Sequence, residues 1–557
     1  MKNIVTLNSL GLATGFAASL APTMASAQQN DQRPNIILIL VDDLGFSDIG
    51  PYGASDIHTP NLDRLASQGI RFRQFYNNSI SAPTRASLIT GQFSHKAGIG
   101  YFDVDLGLPP YQGYLNKESL TFGEVLQQAG YTTLISGKWH VGDKPDQLPN
   151  QRGFDHFYGF GRGGHDYYAA PKDQSIQSNG RGGGINYFRD SLYLDNKRVA
   201  LQKDEYLTES ITNHALDFID EASKKDNPFF LYLAFNAPHW PLQSLPEDIE
   251  KYKGVYSEGW DVLRQKRFEN AKKLGVIDGN TTITKHDERV REWASLPESE
   301  KKFYERRQEV FASMIDRVDQ EIGKISEKLK EVGRYDNTLI IFLSDNGAQG
   351  GSDARTLEQN KSGEVGTAGS WHTQNSNWSQ AGNSPWREYK NAPYEGGISA
   401  PFIAWYPGHI PAGKIVDGVG HIIDLAPTFY DLAKAKYPKT YKGHSTNALP
   451  GKSLTPVLFG KNDRVQRTSP LFWERAGNSA VRDGDWKLVY NYRTKTTELY
   501  NIKEDRSENN DVASSHKDIV ERLQKEYDKW AKENGVENFD RFEDFFKKRN
   551  PYGNDKK

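Results

Sequence analysis

Six short strand-like segments recur along the chain, and longer amphipathic stretches separate them. The first segment, residues 35–41, reads NIILILV and stops abruptly at Asp42 and Asp43. The other five occupy residues 70–76, 131–136, 228–235, 338–343 and 400–405. Continuous apolar runs such as residues 35–41 are typical of strands that are buried on both faces, and such strands occur in parallel sheets covered by helices.

Helix signals lie between these segments. Thr59 and Pro60 are typical of a helix start, and Gly69 is typical of the following stop. Residues 121–124 read TFGE, a capping box that opens a helix ending at Gly130. A longer helix places six apolar side chains on one face: Val310, Met314, Val318, Ile322, Ile325 and Leu329. The alternation predicts an α/β fold in which helices sandwich a large mixed, mainly parallel sheet, with functional loops at the carboxyl ends of the strands.

The pattern changes at about residue 466. Short polar strands follow, including residues 486–490 and 497–500, and then a helix from about residue 515 to 534. We interpret residues 466–557 as a smaller C-terminal α+β subdomain. Its tail carries four phenylalanines among charged residues, which either dock on the parent domain or lie on a membrane surface, and we expect docking. These are Phe539, Phe542, Phe545 and Phe546.

The charge and the cysteine content exclude several functions. Lys and Arg total 70 and Asp and Glu total 72, so the net charge of −2 provides no basic field for a nucleic-acid partner. Cysteine is absent, which excludes disulfides, thiolate zinc sites, iron–sulfur clusters and a cysteine nucleophile.

The N-terminus has the pattern of a secretory signal peptide. Lys2 precedes a mostly apolar stretch over residues 4–24, and residues 25–27 read ASA, a typical cleavage site. A short buried helix or an uncleaved anchor is the alternative. We predict a signal peptide over residues 1–27, a periplasmic or secreted product, and a catalytic domain over residues 28–465. No later stretch approaches the roughly 18 apolar residues of a membrane span, so we expect none.

Two strand-like segments are followed by adjacent oxygen-bearing side chains. Asp42 and Asp43 follow the first segment, and Asp345 and Asn346 follow the fifth. Since the carboxyl ends of parallel strands lie along one edge of the sheet, the two pairs could converge there. Three carboxylates and an amide suit a hard cation such as Ca²⁺ or Mg²⁺ rather than zinc. Taken singly, each pair is also compatible with helix capping or turn formation.

A third polar motif follows the segment at residues 70–76. Residues 81–85 read SAPTR and residues 86–91 read ASLITG. We interpret the motif as a strand-to-helix turn with Ser81 just before the helix, and a helix start of this kind favours an anion. Taken alone, the motif could also be a simple helix cap.

Taken together, these motifs resemble those of the type I sulfatases of the alkaline phosphatase superfamily, and those of bacterial arylsulfatases most closely. The family signature begins with Cys or Ser, continues x-P-x-R and leads to T-G, as residues 81–91 do. Further matching segments span nearly the whole mature chain: residues 42–45 (DDLG), 137–142 (GKWHVG), 152–154 (RGF), 237–241 (APHWP) and 344–347 (SDNG), and Lys390 with residues 394–397 (YEGG). The resemblance implies an alkaline-phosphatase-like fold and a sulfuric ester hydrolase.

The resemblance also implies a modified residue and a metal. In the family the signature Cys or Ser is oxidised to formylglycine (3-oxoalanine), so Ser81 is the expected modified residue. A radical S-adenosylmethionine sulfatase-maturating enzyme is then the expected transient partner. One Ca²⁺ is implied, with Mg²⁺ as the second choice, and the implied ligands are Asp42, Asp43, Ser81, Asp345 and Asn346.

The same resemblance implies catalytic roles for the remaining motif residues. Arg85 and Lys138 are expected to bind and polarise the hydrated aldehyde, and His140 to take the proton that triggers sulfate release. His239 and Lys390 are expected to bind sulfate and to assist the leaving oxygen as acid or cation. Cations and a proton donor are needed because a sulfate monoester is anionic and its leaving oxygen develops charge.

Two other functions fit part of the pattern. The superfamily includes phosphonate monoester and phosphodiester hydrolases, but many of its two-metal phosphate enzymes carry a histidine where Asn346 lies. Asn346 therefore favours a single hard metal and the sulfatase branch. A non-catalytic protein that binds sulfated glycans with an unmodified Ser81 is the second alternative, and the occupied catalytic positions argue against it.

The leaving alcohol is the least determined feature. The resemblance favours a small aryl or alkyl sulfate, with a sulfated sugar as the second choice. Trp371, Trp378 and Trp386, together with residues 161–168, could form an aromatic platform for the alcohol or could pack within a long loop.

Overall fold

The computed structural model describes residues 33–169, 192–351, 363–543 and 545. The predicted signal peptide over residues 1–27 lies outside the described residues, and so does Phe546. Within the described part of the chain, no helix is both long and apolar enough to cross a membrane.

A ten-stranded sheet forms the centre of the fold. In chain order its strands are β1 (Asn35–Val41), β2 (Ile70–Tyr76), β3 (Thr132–Lys138), β4 (His156–Phe160), β5 (Leu192–Leu194), β6 (Lys197–Val199), β7 (Phe229–Ala234), β8 (Thr338–Ser344), β9 (Phe402–Trp405) and β10 (Lys414–His421). Their spatial order is β10-β2-β9-β8-β1-β7-β3-β4-β5-β6. Within this sheet β9 and β5 run against the other strands. The sheet is therefore mixed and mainly parallel, which confirms the predicted fold class.

Helices cover both faces of this sheet. In chain order the helices of the described residues are α1 (Pro60–Ser67), α2 (Ser81–Thr90), α3 (Phe122–Gln128), α4 (Leu207–Ser223), α5 (Pro246–Glu250), α6 (Gly259–Lys273), α7 (Glu298–Glu331), α8 (Asn375–Gly382), α9 (Glu395–Ile398), α10 (Leu425–Leu432), α11 (Thr455–Leu458) and α12 (Lys517–Asn534). The predicted capping box opens α3, where the Glu124 amide donates to the Thr121 hydroxyl at 3.0 Å.

The side chains of β1 alternate between two apolar layers. Ile37 and Ile39 belong to the layer that packs against α1, α4 and α7. Ile36 and Leu38 belong to the layer that packs against α2, α3 and α10. Because both faces of β1 are buried, its sequence shows a continuous apolar run rather than an alternation of polar and apolar residues.

The C-terminal subdomain is built on a separate antiparallel sheet. Its four strands are β13 (Leu471–Arg475), β14 (Asn478–Asp483), β15 (Trp486–Asn491) and β16 (Thr496–Asn501). A two-stranded hairpin, β11 (Thr440–Tyr441) with β12 (His444–Ser445), precedes them. Leu523 and Trp530 of α12 pack against Phe472 and Leu499 of the four-stranded sheet.

The described part of the tail contacts the parent domain. The Phe539 ring lies 5.7 Å from the Tyr101 ring, and the Phe542 ring lies 4.9 Å from the Tyr111 ring, measured between centroids. Tyr101 and Tyr111 belong to the loop between α2 and α3, so the tail packs against that loop.

Candidate active site

Four adjacent parallel strands end at the candidate active site. Val41 of β1 lies beside Ser344 of β8, and Leu40 lies beside Ala234 of β7. Ala234 in turn lies beside Gly137 of β3. The segments that follow β8, β1, β7 and β3 therefore start at one edge of the sheet.

The two acidic pairs lie together at this edge. The Asp43 amide donates to Asp345 Oδ1 at 3.3 Å, and the Asn346 side-chain amide donates to Asp43 Oδ1 at 2.7 Å. All four residues of the two pairs are at most 1% exposed: Asp42, Asp43, Asp345 and Asn346. Burial raises the pKa of Asp42, but the charges of Lys138, His239 and Arg85 outweigh burial, and the pKa lies below its ordinary value.

Three buried oxygens of this cluster accept no hydrogen bond from any described residue: Asp42 Oδ1, Asp43 Oδ2 and Asn346 Oδ1. Buried oxygens of this kind are costly unless a donor or a cation satisfies them. Ligand atoms of Asp42, Asp43 and His239 lie within 4.8 Å of one another. Since carboxylate and amide oxygens are the ligands that Ca²⁺ prefers, the residues present fit a hard dication.

Ser81 is the first residue of α2, so it begins the helix rather than preceding it. Its Oγ accepts a hydrogen bond from Arg85 Nε at 3.0 Å. The fully buried Arg85 guanidinium also donates to Asp42 Oδ2 and Asp345 Oδ2, each at 3.3 Å. Arg85 thereby connects the Ser81 hydroxyl to the acidic cluster.

Lys138 and His140 come from the end of β3. Lys138 Nζ donates to Asp42 Oδ2, and burial lowers the pKa of Lys138 although Asp42 acts in the opposite direction. His140 Nδ1 lies 3.2 Å from Ser81 Oγ. Burial, assisted by the charge of Lys138, lowers the pKa of His140 to about 4. His140 is therefore a neutral imidazole at neutral pH.

Two residues that the sequence did not indicate contact His140. Asp103 Oδ2 lies 3.6 Å from His140 Nε2, and the Phe102 ring packs edge-on against the imidazole at 5.0 Å between centroids. A carboxylate near Nε2 favours the tautomer with its proton on that nitrogen, which leaves the lone pair of Nδ1 facing Ser81. Both residues lie in a loop without apolar periodicity, so no sequence pattern could have indicated them.

His239 and Lys390 both approach Asp43. Lys390 Nζ donates to Asp43 Oδ1 at 2.7 Å, and His239 Nε2 lies 3.7 Å from Asp43 Oδ2. Burial lowers the pKa of His239, although Asp43 acts in the opposite direction. Burial acts to lower the pKa of Lys390, but the negative charges of Asp43 and Asp42 outweigh the effect of burial. The pKa of Lys390 is therefore raised above its ordinary value.

Two site residues adopt a left-handed backbone conformation. The φ angle is 64° at Asp43 and 59° at His140. This conformation costs free energy in residues other than glycine, and it persists where surrounding contacts stabilise it.

The structure brings all ten predicted site residues to one edge of the sheet: Asp42, Asp43, Ser81, Arg85, Lys138, His140, His239, Asp345, Asn346 and Lys390.

Of the two alternatives for the tryptophans, a platform or packing within the loop, the structure shows packing for Trp378 and Trp386. Trp378 is fully buried against Trp260 and Trp293, and Trp386 is 2% exposed and packs against Phe46. Trp371 lies nearer the site, since its ring packs edge-on against Trp240, which stacks on His239. The sequence of a long loop has no periodicity that would distinguish a tryptophan buried in the core from a tryptophan that lines a pocket.

Comparison with known proteins assigns the family. A family model described as "Sulfatase" matches residues 34–435, and one described as "N-sulphoglucosamine sulphohydrolase, C-terminal" matches residues 385–533. The chain therefore belongs to the sulfatase family of sulfuric ester hydrolases.

Individual relatives cover most of the chain. An uncharacterized sulfatase of Schizosaccharomyces pombe is 35% identical over 534 residues, which are 91% of this chain and 95% of the relative. An arylsulfatase of Klebsiella aerogenes is 35% identical over 467 residues, which are 82% of this chain and 98% of the relative. The solved structure of Ps i-CgsB in complex with k-i-k-neocarrahexaose is similar with a TM-score of 0.67 and 31% identity, over 90% of this chain and 93% of that one.

Proposed function

We propose that the protein hydrolyses sulfate monoesters at Ser81, with Ser81 oxidised to formylglycine and one Ca²⁺ bound nearby. One observation carries the proposal: Ser81 Oγ lies between Arg85 Nε, at 3.0 Å, and His140 Nδ1, at 3.2 Å. A serine that only caps a helix needs neither contact. Arg85 in turn joins this hydroxyl to carboxylates that fit a hard cation.

Asp42, Asp43, Asp345 and Asn346 are the proposed protein ligands of the metal, together with position 81. A bound Ca²⁺ supplies positive charge that neutralises the carboxylates and polarises a sulfate oxygen. A serine hydroxyl is a weak nucleophile whose sulfate ester must itself be hydrolysed, whereas a hydrated aldehyde offers a second hydroxyl whose deprotonation releases sulfate.

His140 is the proposed base for that deprotonation. Its Nδ1 is close to the oxygen at position 81, and its low pKa keeps the ring neutral and able to accept a proton. Arg85 and Lys138 are proposed to orient the reacting oxygen, and both contact Asp42 in this structure.

His239 and Lys390 are the proposed groups on the leaving-oxygen side. Both contact Asp43, and they come from segments far apart in the chain. A lysine cation there stabilises negative charge on the departing alkoxide or phenoxide, and a histidine can provide the proton.

We propose aryl sulfates as the first substrate class and sulfated sugars as the second. The relative from Klebsiella aerogenes is an arylsulfatase, and the solved structure at 31% identity contains k-i-k-neocarrahexaose. The partly exposed Trp240 ring stacks on His239 with centroids 5.6 Å apart, so it can pack against a planar leaving group or a sugar face.

Maturation and export complete the proposal. Oxidation of Ser81 requires the radical S-adenosylmethionine maturating enzyme to act on the unfolded chain, because Ser81 is 1% exposed in the folded protein. A product with the predicted signal peptide must therefore be modified before or during export to the periplasm or the medium.

The test is a substrate panel on protein produced together with a maturating enzyme. We expect turnover of 4-nitrophenyl sulfate or of sulfated saccharides, no turnover by Ser81→Ala, and an unchanged circular-dichroism melt of that variant. A preference for a phenylphosphonate ester by orders of magnitude contradicts the sulfatase proposal. Binding of sulfated saccharides without turnover, by protein from its own host whose position 81 carries only unmodified serine, favours the non-catalytic alternative.

A further inference from the structure

We propose that Glu498, on the C-terminal sheet, positions Lys390 by binding both ends of the loop that carries it. This inference rests on the proposed role of Lys390 at the sulfate site. This loop is residues 387–394, which lie in the connection between α8 and α9. Glu498 lies in β16 and makes no direct contact with the acidic cluster, so it acts through the loop.

One carboxylate oxygen joins the two ends of the loop. Glu498 Oε2 accepts a hydrogen bond from Arg387 Nη1 at 3.0 Å and another from Tyr394 Oη at 2.9 Å. Arg387 precedes Lys390 by three residues and Tyr394 follows it by four. The Arg387 guanidinium also lies over the Tyr394 ring, 4.1 Å from its centroid. The two ends of the loop are therefore bound to each other and to the C-terminal sheet.

The backbone around Lys390 needs such support. Glu388 has a φ angle of 66° and Asn391 a φ angle of 81°, so a left-handed residue lies on each side of Lys390. Non-glycine residues adopt this conformation only where the surrounding structure stabilises it. If the loop relaxes to ordinary φ angles, the direction of the Lys390 side chain changes and its 2.7 Å contact with Asp43 is lost.

The residue after Tyr394 is bound to the same subdomain. Glu395 is fully buried, and its Oε1 accepts from Lys487 Nζ at 3.0 Å. Its amide donates to Glu508 Oε2 at 2.8 Å, and its Oε2 accepts from Arg506 Nε at 2.8 Å. Substitutions in this buried charge cluster endanger folding because they leave uncompensated charges. Glu498 is a better probe because its side chain is 16% exposed.

The arrangement gives the C-terminal subdomain a part in the reaction. The subdomain contributes none of the ten site residues, yet the loop with Lys390 is attached to it by Arg387, Tyr394 and Glu395. The second family model, which matches residues 385–533, covers this loop together with the subdomain.

The first test measures the loop itself by hydrogen–deuterium exchange in Glu498→Ala, Glu498→Gln and wild type. We expect faster exchange over residues 385–394 in Glu498→Ala and an intermediate rate in Glu498→Gln, whose amide oxygen can still accept a hydrogen bond. Asp483→Ala is the matched control, because Asp483 pairs with Arg522 in the same subdomain and touches no residue of the loop. Unchanged exchange over the loop in Glu498→Ala overturns the proposal.

The second test is a double-mutant cycle between Glu498→Ala and Lys390→Ala on matured enzyme. We expect Glu498→Ala alone to lower kcat/KM by about 10-fold or more, since small misplacements of a reacting group have large effects. In the Lys390→Ala background the same change should have little further effect, because the positioned group is gone. Additive losses, or wild-type kcat/KM in Glu498→Ala, contradict the proposal. If the proposed function is wrong, the wild-type enzyme will not hydrolyse sulfate esters. The exchange experiment tests the positioning role of Glu498 in that case as well.

Discussion

His140 Nδ1 lies 3.2 Å from Ser81 Oγ, although 59 residues separate the two along the chain. The contact exists because β3 ends, and α2 begins, at the same edge of the sheet. His140 reaches it with a left-handed backbone, and Asp103 lies on the far side of its ring. A neutral imidazole between a carboxylate and a hydroxyl is suited to accept a proton from that hydroxyl.

Removal of the Asp103 carboxylate should impair His140. We expect Asp103→Ala to lower kcat by about 10-fold, a part of the roughly 100- to 10,000-fold that a positioned base contributes. Asp103→Asn should keep more activity, because its amide oxygen keeps a partial negative charge beside Nε2 and so still favours the proton on that nitrogen. Steady-state kinetics check this with KM as the internal control. An unchanged kcat in Asp103→Ala, or an equal loss in both variants, speaks against a tautomer-setting role.

Metal binding and activity should be lost together when an acidic residue of the cluster is removed. Asp345→Ala also removes the acceptor of the Asp43 amide and one partner of Arg85. We expect its calcium content to fall to background and its kcat/KM to fall by at least about 100-fold, since residues that only orient metal ligands already account for about 10- to 100-fold. Metal analysis after dialysis measures the calcium content. Asp463→Ala is the control, because Asp463 is an exposed acidic residue. Calcium retained at wild-type level by Asp345→Ala would remove this residue from the proposed ligands.

Mild acid should destabilise the protein through His421. This histidine is fully buried, and burial, followed by the charge of Arg467, holds its pKa well below the ordinary value of 6.5. Below pH 6.5 the unfolded chain therefore binds a proton that the folded chain does not. The free energy of unfolding then falls by about 1.4 kcal/mol per pH unit until the folded pKa is reached.

Thermal melts between pH 7 and pH 5 check this prediction. His421→Asn retains an acceptor for the Ile423 amide, which donates to His421 Nδ1 in wild type. We expect the variant to have a lower Tm at pH 7 but a shallower fall of Tm with acidification. A parallel pH dependence in the two proteins assigns the acid sensitivity to other groups.

The central strands and the acidic pairs were predictable because both follow from local sequence. A run such as residues 35–41 has few alternatives to a buried strand, and polar residues directly after two such strands lie at the same sheet edge when the strands are parallel, as β1 and β8 are. The direction of β9 was not predictable, since the apolar run at residues 400–405 is the same for either direction.

Contacts between distant segments were beyond the sequence patterns. Asp103 belongs to an irregular loop that reaches His140 only after folding, and Glu498 meets Tyr394 across 104 residues. The alternatives for Trp378, platform or packing, stayed open in the sequence for the same reason, since burial of a loop residue depends on tertiary packing, here against Trp260. The resemblance to a family indicated the candidate reacting groups, whereas the residues that contact and support them became visible only from the fold.

The most direct test is mass spectrometry of the tryptic peptide over residues 74–85, which trypsin releases by cleaving after Arg73 and after Arg85, combined with turnover of the same preparations. Oxidation of Ser81 to formylglycine removes two hydrogens from this peptide. We predict that sulfate ester turnover rises in proportion to the fraction of peptide that has lost them, in preparations made with and without a maturating enzyme. Full turnover by protein whose peptide carries only unmodified serine would contradict the account.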